Sequence, residues 1–248
     1  MKVLVTGHKG YIGGHIYSSL QYLDHEVHGI DIKEGKDIAY CLPEEEFDYV
    51  FHLAALPSVQ FSVNKPSYTM RHNVLNTSVL LEWAKNAKVK RVIFSSSAAA
   101  ENIKSPYGLQ KKLSEMECKL YSDLYKLDTV CLRYFNVYSE DQPFAGAYST
   151  AISAWMESAR KGVPMRIDGD GEQTRDFIYV SDVVGANIFC MHSRRFFGGE
   201  TMNVGTGTSV SLNNIKGFLE RRGFTNWEYA PTREGDIRNS VADISSIK

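Results

Sequence analysis

Apolar positions along this chain come in two periods, and the alternation between them sketches a fold. Lys2-Val3-Leu4-Val5 is a short apolar run that breaks at Thr6-Gly7, after which Ile12, Ile16 and Leu20 recur at i, i+4 and i+8, the spacing of one helix face. Glu26 to Ile30 is a second candidate strand. Tyr49-Val50-Phe51-His52-Leu53-Ala54-Ala55 is unbroken, as a parallel strand covered on both faces requires. Between these two, residues 33–46 are polar with little periodicity and predict loop with at most one small element. Asn73 to Ala87 carries apolar side chains around much of its circumference, so a helix there needs cover on more than one side. Arg91 to Phe94 and Asp128 to Phe135 predict two further strands, separated by a helix from Pro106 to about Tyr125.

The pattern then changes. Gln142-Pro143-Phe144-Ala145-Gly146 predicts loop, Ser149 to Lys161 a helix with Ile152, Trp155 and Ala159 on one face, and Met165-Arg166-Ile167 a short strand. Asp168-Gly169-Asp170-Gly171 is a turn cluster; Gln173 to Val180 leads into a strand and then a helix from Asp182. Met202 to Gly207 reads as strand and turn, and Leu212, Ile215 and Leu219 mark a last helix. Strands alternating with helices predict the α/β class, here a Rossmann-type doubly wound parallel sheet with a smaller C-terminal α/β part. No repeat, low-complexity segment or linker between independent domains interrupts it.

The first turn carries chemistry. Thr6-Gly7-His8-Lys9-Gly10-Tyr11-Ile12-Gly13 spaces three glycines by threes between a strand and a helix. Without Cβ atoms the backbone amides can approach a diphosphate at the positive helix end. Asp31 stands at the end of the second strand, eighteen residues after Gly13. A carboxylate there accepts hydrogen bonds from an adenosine ribose and repels a 2′-phosphate, which favours NAD over NADP; Lys33 nearby offsets part of that charge.

Composition removes other classes. With 43% apolar and 23% charged residues in 248, the chain can bury a substantial core, which sets disorder aside. The formal net charge of −1 and the lack of a long Lys/Arg block argue against a nucleic-acid or membrane partner. Cys41, Cys118, Cys131 and Cys190 lie far apart with no C-x-x-C pair, fitting reduced packing residues in a cytoplasm better than disulfides or a metal site. His52 has no partner at metal spacing and reads as a packed or hydrogen-bonded histidine. The chain opens directly on a strand and has no apolar run near the roughly 18 residues of a membrane span, so no signal peptide is expected.

Hydroxyls in Ser95-Ser96-Ser97 follow the strand from Arg91, at the end where open α/β sheets bind ligands. Farther on, Tyr107 and Lys111 are i and i+4 and share a helix face. Leu109, Leu113, Met116, Leu120 and Leu124 fall on nearly the opposite side. Two arrangements are open. Either Tyr107 and Lys111 look into a cleft and the leucine stripe needs a partner, which predicts a homodimer through the helices at 73–87 and 107–125, or the stripe is core and Tyr107 lies on the surface.

Taken in order, Thr6-Gly7-x-x-Gly10-x-x-Gly13, the acidic Asp31, His52-Leu53-Ala54-Ala55, Ser95-Ser96-Ser97-Ala98, Tyr107-x-x-x-Lys111, Arg133-Tyr134-Phe135-Asn136, Gly171-x-Gln173-Thr174-Arg175-Asp176-Phe177, Asn203-Val204-Gly205 and Arg233-Glu234-Gly235-Asp236 resemble the extended short-chain dehydrogenase/reductases. The likeness spans nearly the whole chain and is greatest to the NAD-dependent nucleotide-sugar epimerase/dehydratase branch. It favours the arrangement in which Tyr107 faces a cleft.

The resemblance implies that Ser97, Tyr107 and Lys111 form the catalytic group, with Tyr107 the base toward a sugar hydroxyl. It maps Gly7, Gly10, Tyr11, Ile12, Gly13, Asp31, Asp37, Ile38, Leu53, Ala54, Ala55, Ser95, Tyr107, Lys111 and Tyr134 to NAD contacts. Ser97, Asn136, Arg175, Arg233 and Asp236 map to a nucleotide-diphosphate sugar, with UDP-sugars first. Two guanidinium forks suit a diphosphate, the alternative being salt bridges to Asp176 or Glu234. By the same likeness, residues 1–136 with about 178–204 form the NAD-binding domain, and about 137–177 with 205–248 the nucleotide-sugar part. The implied activity is that of a UDP-hexose 4-epimerase working through a transient 4-keto sugar. Ala98-Ala99 stand where related dehydratases carry an Asp-Glu acid/base pair, which favours epimerase over dehydratase. Reductase and decarboxylase chemistries, and a non-catalytic NAD-binding sensor, are the alternatives. The chain resembles an unusually short member: nine residues separate Ser97 from Tyr107, the stretch from Asp31 to His52 is brief, and little follows Ala242-Asp243-Ile244-Ser245.

Overall fold

A computed structural model of the protein describes residues 1–144, 150–232 and 237–247. In chain order it contains β1 (Lys2–Thr6), α1 (Tyr11–Tyr22), β2 (Glu26–Ile30), α2 (Ile38–Cys41), β3 (Tyr49–His52), α3 (Val59–Asn64), α4 (Pro66–Met70) and α5 (Asn76–Asn86). There follow β4 (Arg91–Ser97), α6 (Pro106–Tyr125), β5 (Asp128–Tyr134), β6 (Asn136–Tyr138), α7 (Ala151–Lys161), β7 (Met165–Asp168), β8 (Thr174–Arg175) and β9 (Phe177–Tyr179). The last elements are α8 (Val180–His192), β10 (Glu200–Val204), β11 (Val210–Ser211), α9 (Leu212–Glu220) and β12 (Trp227–Ala230). Two compact units result, Met1–Tyr134 with Val180–Met202, and Phe135–Tyr179 with Asn203–Lys248.

The first unit is built on a six-stranded sheet of order β10-β5-β4-β3-β1-β2. Strands β2, β1, β3, β4 and β5 run parallel. Val3, Leu4 and Val5 of β1 and Val92, Ile93 and Phe94 of β4 are all buried, which is why these strands read as runs and not as alternation. Helices α1 and α8 pack on each other, as do α5 and α6, so both faces have cover. From β1 the chain steps outward to β2 and then returns past β1 to β3. The order therefore reverses between β1 and β3, the switch point where open parallel sheets bind ligands.

The polar stretch after β2 holds two small elements and not one, a 3-10 turn at Ile32–Glu34 and helix α2. Each is started by an aspartate: Asp31 accepts the Lys33 amide and Asp37 the Ala39 amide, side-chain caps that replace missing periodicity. The helical stretch expected from Asn73 begins earlier, at Pro66, and passes through a π turn at Arg71–Leu75 before α5. Asn73 caps nothing there. Its amide brackets the backbone of Leu56, accepting from the nitrogen at 2.7 Å and donating to the oxygen at 3.1 Å, while proline at the first helical position starts the helix.

Helix α6 turns its polar face inward. Tyr107, Lys111, Ser114, Glu115, Cys118 and Ser122 are buried, whereas Leu109, Met116, Leu120 and Leu124 are exposed and Leu113 is half-buried. The far end of the sheet is tied by charge. Arg91 donates to Asp128 at 2.7 Å and to the carbonyls of Ser193 and Arg195, while Asp128 accepts the amides of Phe197 and Gly198. All four cysteines are free thiols, three of them buried.

In the second unit, Trp155 of α7, Met165 and Ile167 of β7, and Leu212 and Leu219 of α9 form the core, with Trp227 edge-on to Trp155 at 5.1 Å. The helix expected from Ser149 is observed from Ala151; Ala145, Gly146 and Ser149 lie outside the described residues. Asp176 is fully buried and accepts the amides of Thr206, Gly207 and Ala242, joining three segments through one carboxylate.

His52 is a structural histidine. Its Nδ1 meets Thr6 Oγ1 at 2.8 Å and its Nε2 meets Thr77 Oγ1 at 3.0 Å, and burial pushes its pKa down to about 3. The folded ring stays neutral where the unfolded one protonates, so the unfolded state binds more protons below pH about 6.5 and stability falls with pH. His52 should account for a loss of about 2 kcal/mol between pH 7 and 5. Urea unfolding of His52→Asn should show a shallower decline than the wild type across that range, and parallel declines would contradict the assignment.

Candidate functional site

At the switch point the backbone closes on itself. Gly7 has φ +75°, and a Cβ there would lie 2.7 Å from the Ala54 nitrogen; one on Gly13 would lie 2.2 Å from the Gly7 oxygen. The glycine turn, the start of α1 and the segment after β3 can meet this closely only with those side chains missing. Gly10 is the N-cap of α1 and makes no side-chain capping hydrogen bond, so the positive end of this helix lies at the glycine turn. Tyr11 is buried and Ile12 half-buried at this first turn. Leu53, Ala54 and Ala55 are half-buried, with the Leu53 amide on Thr6 O and the Ala54 amide on Thr6 Oγ1.

Asp31 is 6% exposed, its two oxygens accepting the amides of Lys9 at 2.9 Å and Lys33 at 2.8 Å. A carboxylate offers about four acceptor positions, so two are left for a pair of ribose hydroxyls. Asp37 caps α2 and accepts Asn76 Nδ2 at 2.9 Å, which holds the buried Ile38 beside α5. A cradle that Cβ atoms would fill, a helix N-terminus beside it and a carboxylate after β2 together fit NAD.

Lys111 is a buried charged group at the end of β4. It is 3% exposed, its Nζ donates to Ser95 O at 2.7 Å, and the amine sits over the Phe94 ring at 4.7 Å. Burial pushes its pKa down to about 8. One turn earlier, Tyr107 is buried and its backbone amide is held by Ser62 Oγ at 3.1 Å. Ser105 caps α6 by accepting the Gly108 amide, and Pro106 occupies the first turn. Half-buried Ser97 ends β4 and accepts the Ala99 amide, starting the 3-10 turn Ala98–Ala100. A Cβ on Gly108 would lie 2.4 Å from Ala99 O, so the start of α6 lies directly against the turn that follows Ser97. Ser95, Ser97, Tyr107 and Lys111 are thus brought to one end of β4. Tyr134 is different in character: it is buried in β5 and its hydroxyl donates to Asn187 at 3.0 Å.

In the second unit, Asn136 donates its amide to Asp176 O at 2.9 Å, and Arg175 Nη1 bonds the carbonyls of Ile237 at 2.7 Å and Thr174 at 2.9 Å. Arg233 and Asp236 lie outside the described residues. Among the described residues no cluster of His, Cys, Asp and Glu could hold a metal, and no helix is long and apolar enough to cross a membrane.

Several supports were invisible to motif reading. Ser62 and Gly108 set Tyr107, and Gln110 links α6 to Asn73 at 2.8 Å and Thr69 at 2.9 Å. Only a glycine directly after a candidate tyrosine, inside a helix's first turn, offered a signal.

Lys111 should titrate near pH 8, being charged below that and neutral above. Nuclear magnetic resonance of the 13C-methylated lysines should find one amine with that midpoint, absent in Lys111→Met; a midpoint near the ordinary 10.4 or so would contradict the burial account.

Comparison with known proteins adds identity to this geometry. Residues 3–205 match the model of the NAD dependent epimerase/dehydratase family. The UDP-glucose 4-epimerase of Mycolicibacterium smegmatis is 30% identical, over 98% of this chain and 90% of its own length. The crystal structure of UDP-glucose 4-epimerase with UDP-glucose from Thermotoga maritima superposes with a TM-score of 0.88 at 32% identity, covering 99% of this chain and 90% of that one. UDP-glucuronic acid 4-epimerase from Bacillus cereus, in complex with UDP-glucuronic acid and NAD, gives 0.89 at 27% identity, covering 99% and 91%. With a Rossmann-like parallel sheet, a glycine cradle at its switch point and a family match over most of its length, the chain belongs to the NAD dependent epimerase/dehydratase family.

Proposed function

We propose that the protein is an NAD-dependent UDP-hexose 4-epimerase acting through a transient 4-keto sugar. The observation that carries this reading is a buried tyrosine and a buried lysine one helical turn apart, set against the serine-bearing end of β4. Gly7, Gly10, Tyr11, Ile12, Gly13, Asp31, Asp37, Ile38, Leu53 to Ala55 and Ser95 hold the cofactor, so the first unit is the NAD-binding one. NAD held by these residues would supply the hydride acceptor for oxidation at C4 of the sugar and the donor for reduction of the resulting ketone from its other face. Asn136, Arg175, Arg233 and Asp236 of the second unit are assigned to the UDP-sugar.

Tyr107 takes the proton of the 4-hydroxyl and later gives it back. A free phenol has a pKa of about 10, and lowering it by three units needs roughly 4 kcal/mol of differential stabilisation. The Lys111 ammonium favours the phenolate as long as the pH stays below the lysine's own value of about 8. Ser97 donates to the same sugar oxygen, whose negative charge develops as its proton leaves and again when hydride returns to the ketone. No acid stands next to Ser97 to expel a 6-hydroxyl: Ala98 and Ala99 fill those positions, and Glu101 lies 3.8 Å from Arg133.

Tyr107→Phe should lower interconversion of UDP-glucose and UDP-galactose by about 10²-fold or more while the protein still co-purifies with NAD. Undiminished turnover would remove Tyr107 from the chemistry. A wild type that holds NAD yet interconverts no common nucleotide sugar, or that yields net NADH or carbon dioxide, would move it to another family reaction.

The same reading makes the protein a cytoplasmic homodimer, supported by the free thiols and by the apolar outer face of α6. Leu120 and Leu124 are 51% and 62% exposed on that face, and Leu75, just before α5, is 54% exposed. Contiguous apolar side chains of this kind mark an interface. Leu120→Glu with Leu124→Glu should halve the mass measured by light scattering at micromolar concentration; a wild type that is already monomeric would rule the dimer out.

A further inference from the structure

Next to Asp31 lies a set of charges that the cofactor reading has not used. The backbones of Lys9 and Lys33 wrap the Asp31 carboxylate, and Lys33 Nζ donates to Lys9 O at 2.8 Å, so both lysines are gathered at the same place. Lys36 follows three residues later. Three ammonium groups beside a ribose acceptor would ordinarily welcome a 2′-phosphate, because a dianion gains from each of them. One carboxylate opposes this. Glu34 Oε1 stands 3.2 Å from Lys9 Nζ and 3.4 Å from His8 Nε2, and its Oε2 stands 3.7 Å from Lys36 Nζ.

Glu34 is not held there by the lysines alone. The His8 ring is 7% exposed, lies 5.1 Å from the Tyr17 ring, and fills the space above Gly29, where a Cβ would come within 2.5 Å of it. The buried ring thus stands 3.4 Å from one oxygen of Glu34 and limits where that carboxylate can go. The turn itself is fixed as well, since the Glu34 amide bonds Asp31 O at 3.0 Å and Gly35 closes it with φ +74°. Exposed ion pairs contribute little to stability, so this arrangement has more consequence for the local field than for the fold.

We propose that Glu34 is a second determinant of cofactor choice, which neutralises Lys9 and Lys36 so that Asp31 alone decides at the 2′-position and NADP is refused. This rests on the reading that Asp31 meets the adenosine ribose. The backbones of Lys9, Lys33 and Lys36 all bond Asp31, so without Glu34 one carboxylate stands among three lysines, and with Glu34 the turn is nearly balanced.

The test is equilibrium titration of the full-length protein with NAD+ and with NADP+, followed by calorimetry, for the wild type, Glu34→Gln and Glu34→Asp. Glu34→Gln should bind NADP+ about tenfold more tightly than the wild type, with NAD+ affinity changed less than about twofold and the gain lost in about 0.5 M salt. Glu34→Asp, which keeps the charge, should discriminate as the wild type does. Unchanged NADP+ affinity in Glu34→Gln, with normal NAD+ binding, would overturn the proposal while leaving Asp31 in place. Equal weakening of both cofactors would overturn it too, making Glu34 a brace for the turn. Failure of the wild type to bind NAD+ would overturn the reading at Asp31 itself.

Discussion

A charged amine inside the seam between β4 and α6 is the constraint on which this end of the first unit depends. Removing an ammonium from water is costly, and the depressed pKa of Lys111 records that cost. The offset comes from a main-chain oxygen of β4 and the face of Phe94. Because the acceptor belongs to the backbone, the bond also sets the register of the helix on the sheet. Sliding α6 by one residue would leave the buried charge without its partner, so few alternative packings compete. Tyr107, one turn nearer the N-terminus, inherits its position from that bond and from the glycine that lets the helix start touch Ala99.

The same helix is tied a second time, one turn further along. Glu115 is 3% exposed and accepts Ser96 Oγ at 2.6 Å and Arg133 at 2.7 and 2.8 Å through a guanidinium fork. Burial alone would raise the carboxyl's pKa; the hydrogen bonds from Arg133 and Ser96 outweigh it, and the group ends below the ordinary range. A carboxylate that stays charged in such a place stabilises the surroundings only while all its partners are present. Ser96 and Arg133 lie on neighbouring strands, paired in register, so Glu115 welds β4 to β5 directly beneath the serine cluster. The seam is polar where a simple core would be apolar, and that polarity fixes one arrangement.

This also accounts for what could be read in the sequence. Periodicity carried β1, α1 and both faces of α6, because those features repeat along one element and owe little to the rest of the chain. The spacing of Tyr107 and Lys111 put them on a common face, and the opposite leucine stripe proved exposed, as the helical wheel allows. Motif order gave the family. What could not be read were contacts between distant segments: Ser62 beneath the Tyr107 amide, Gln110 on Asn73, and Asn73 on Leu56. Asn73 is the instructive case. The apolar pattern starts the helix at Asn73, yet the Asn73 amide is spent on a loop and proline starts the helix seven residues earlier. Side-chain caps at Asp31 and Asp37 likewise made structure where the apolar pattern was silent.

The short segment between Ser97 and Tyr107 bears on both position and chemistry. Its 3-10 turn is held at one end by Ser97 Oγ and pressed at the other against Gly108, where no room exists for a Cβ. Ala98 and Ala99 give that turn no proton donor of their own, and Glu101 stands 3.8 Å from Arg133. The tightness that seats the tyrosine therefore goes with a turn that offers no acid of its own. A reaction that removes one proton and returns it to the same oxygen asks for no such acid, whereas an elimination needs a second donor. Epimerisation matches the chemical means present at the end of β4.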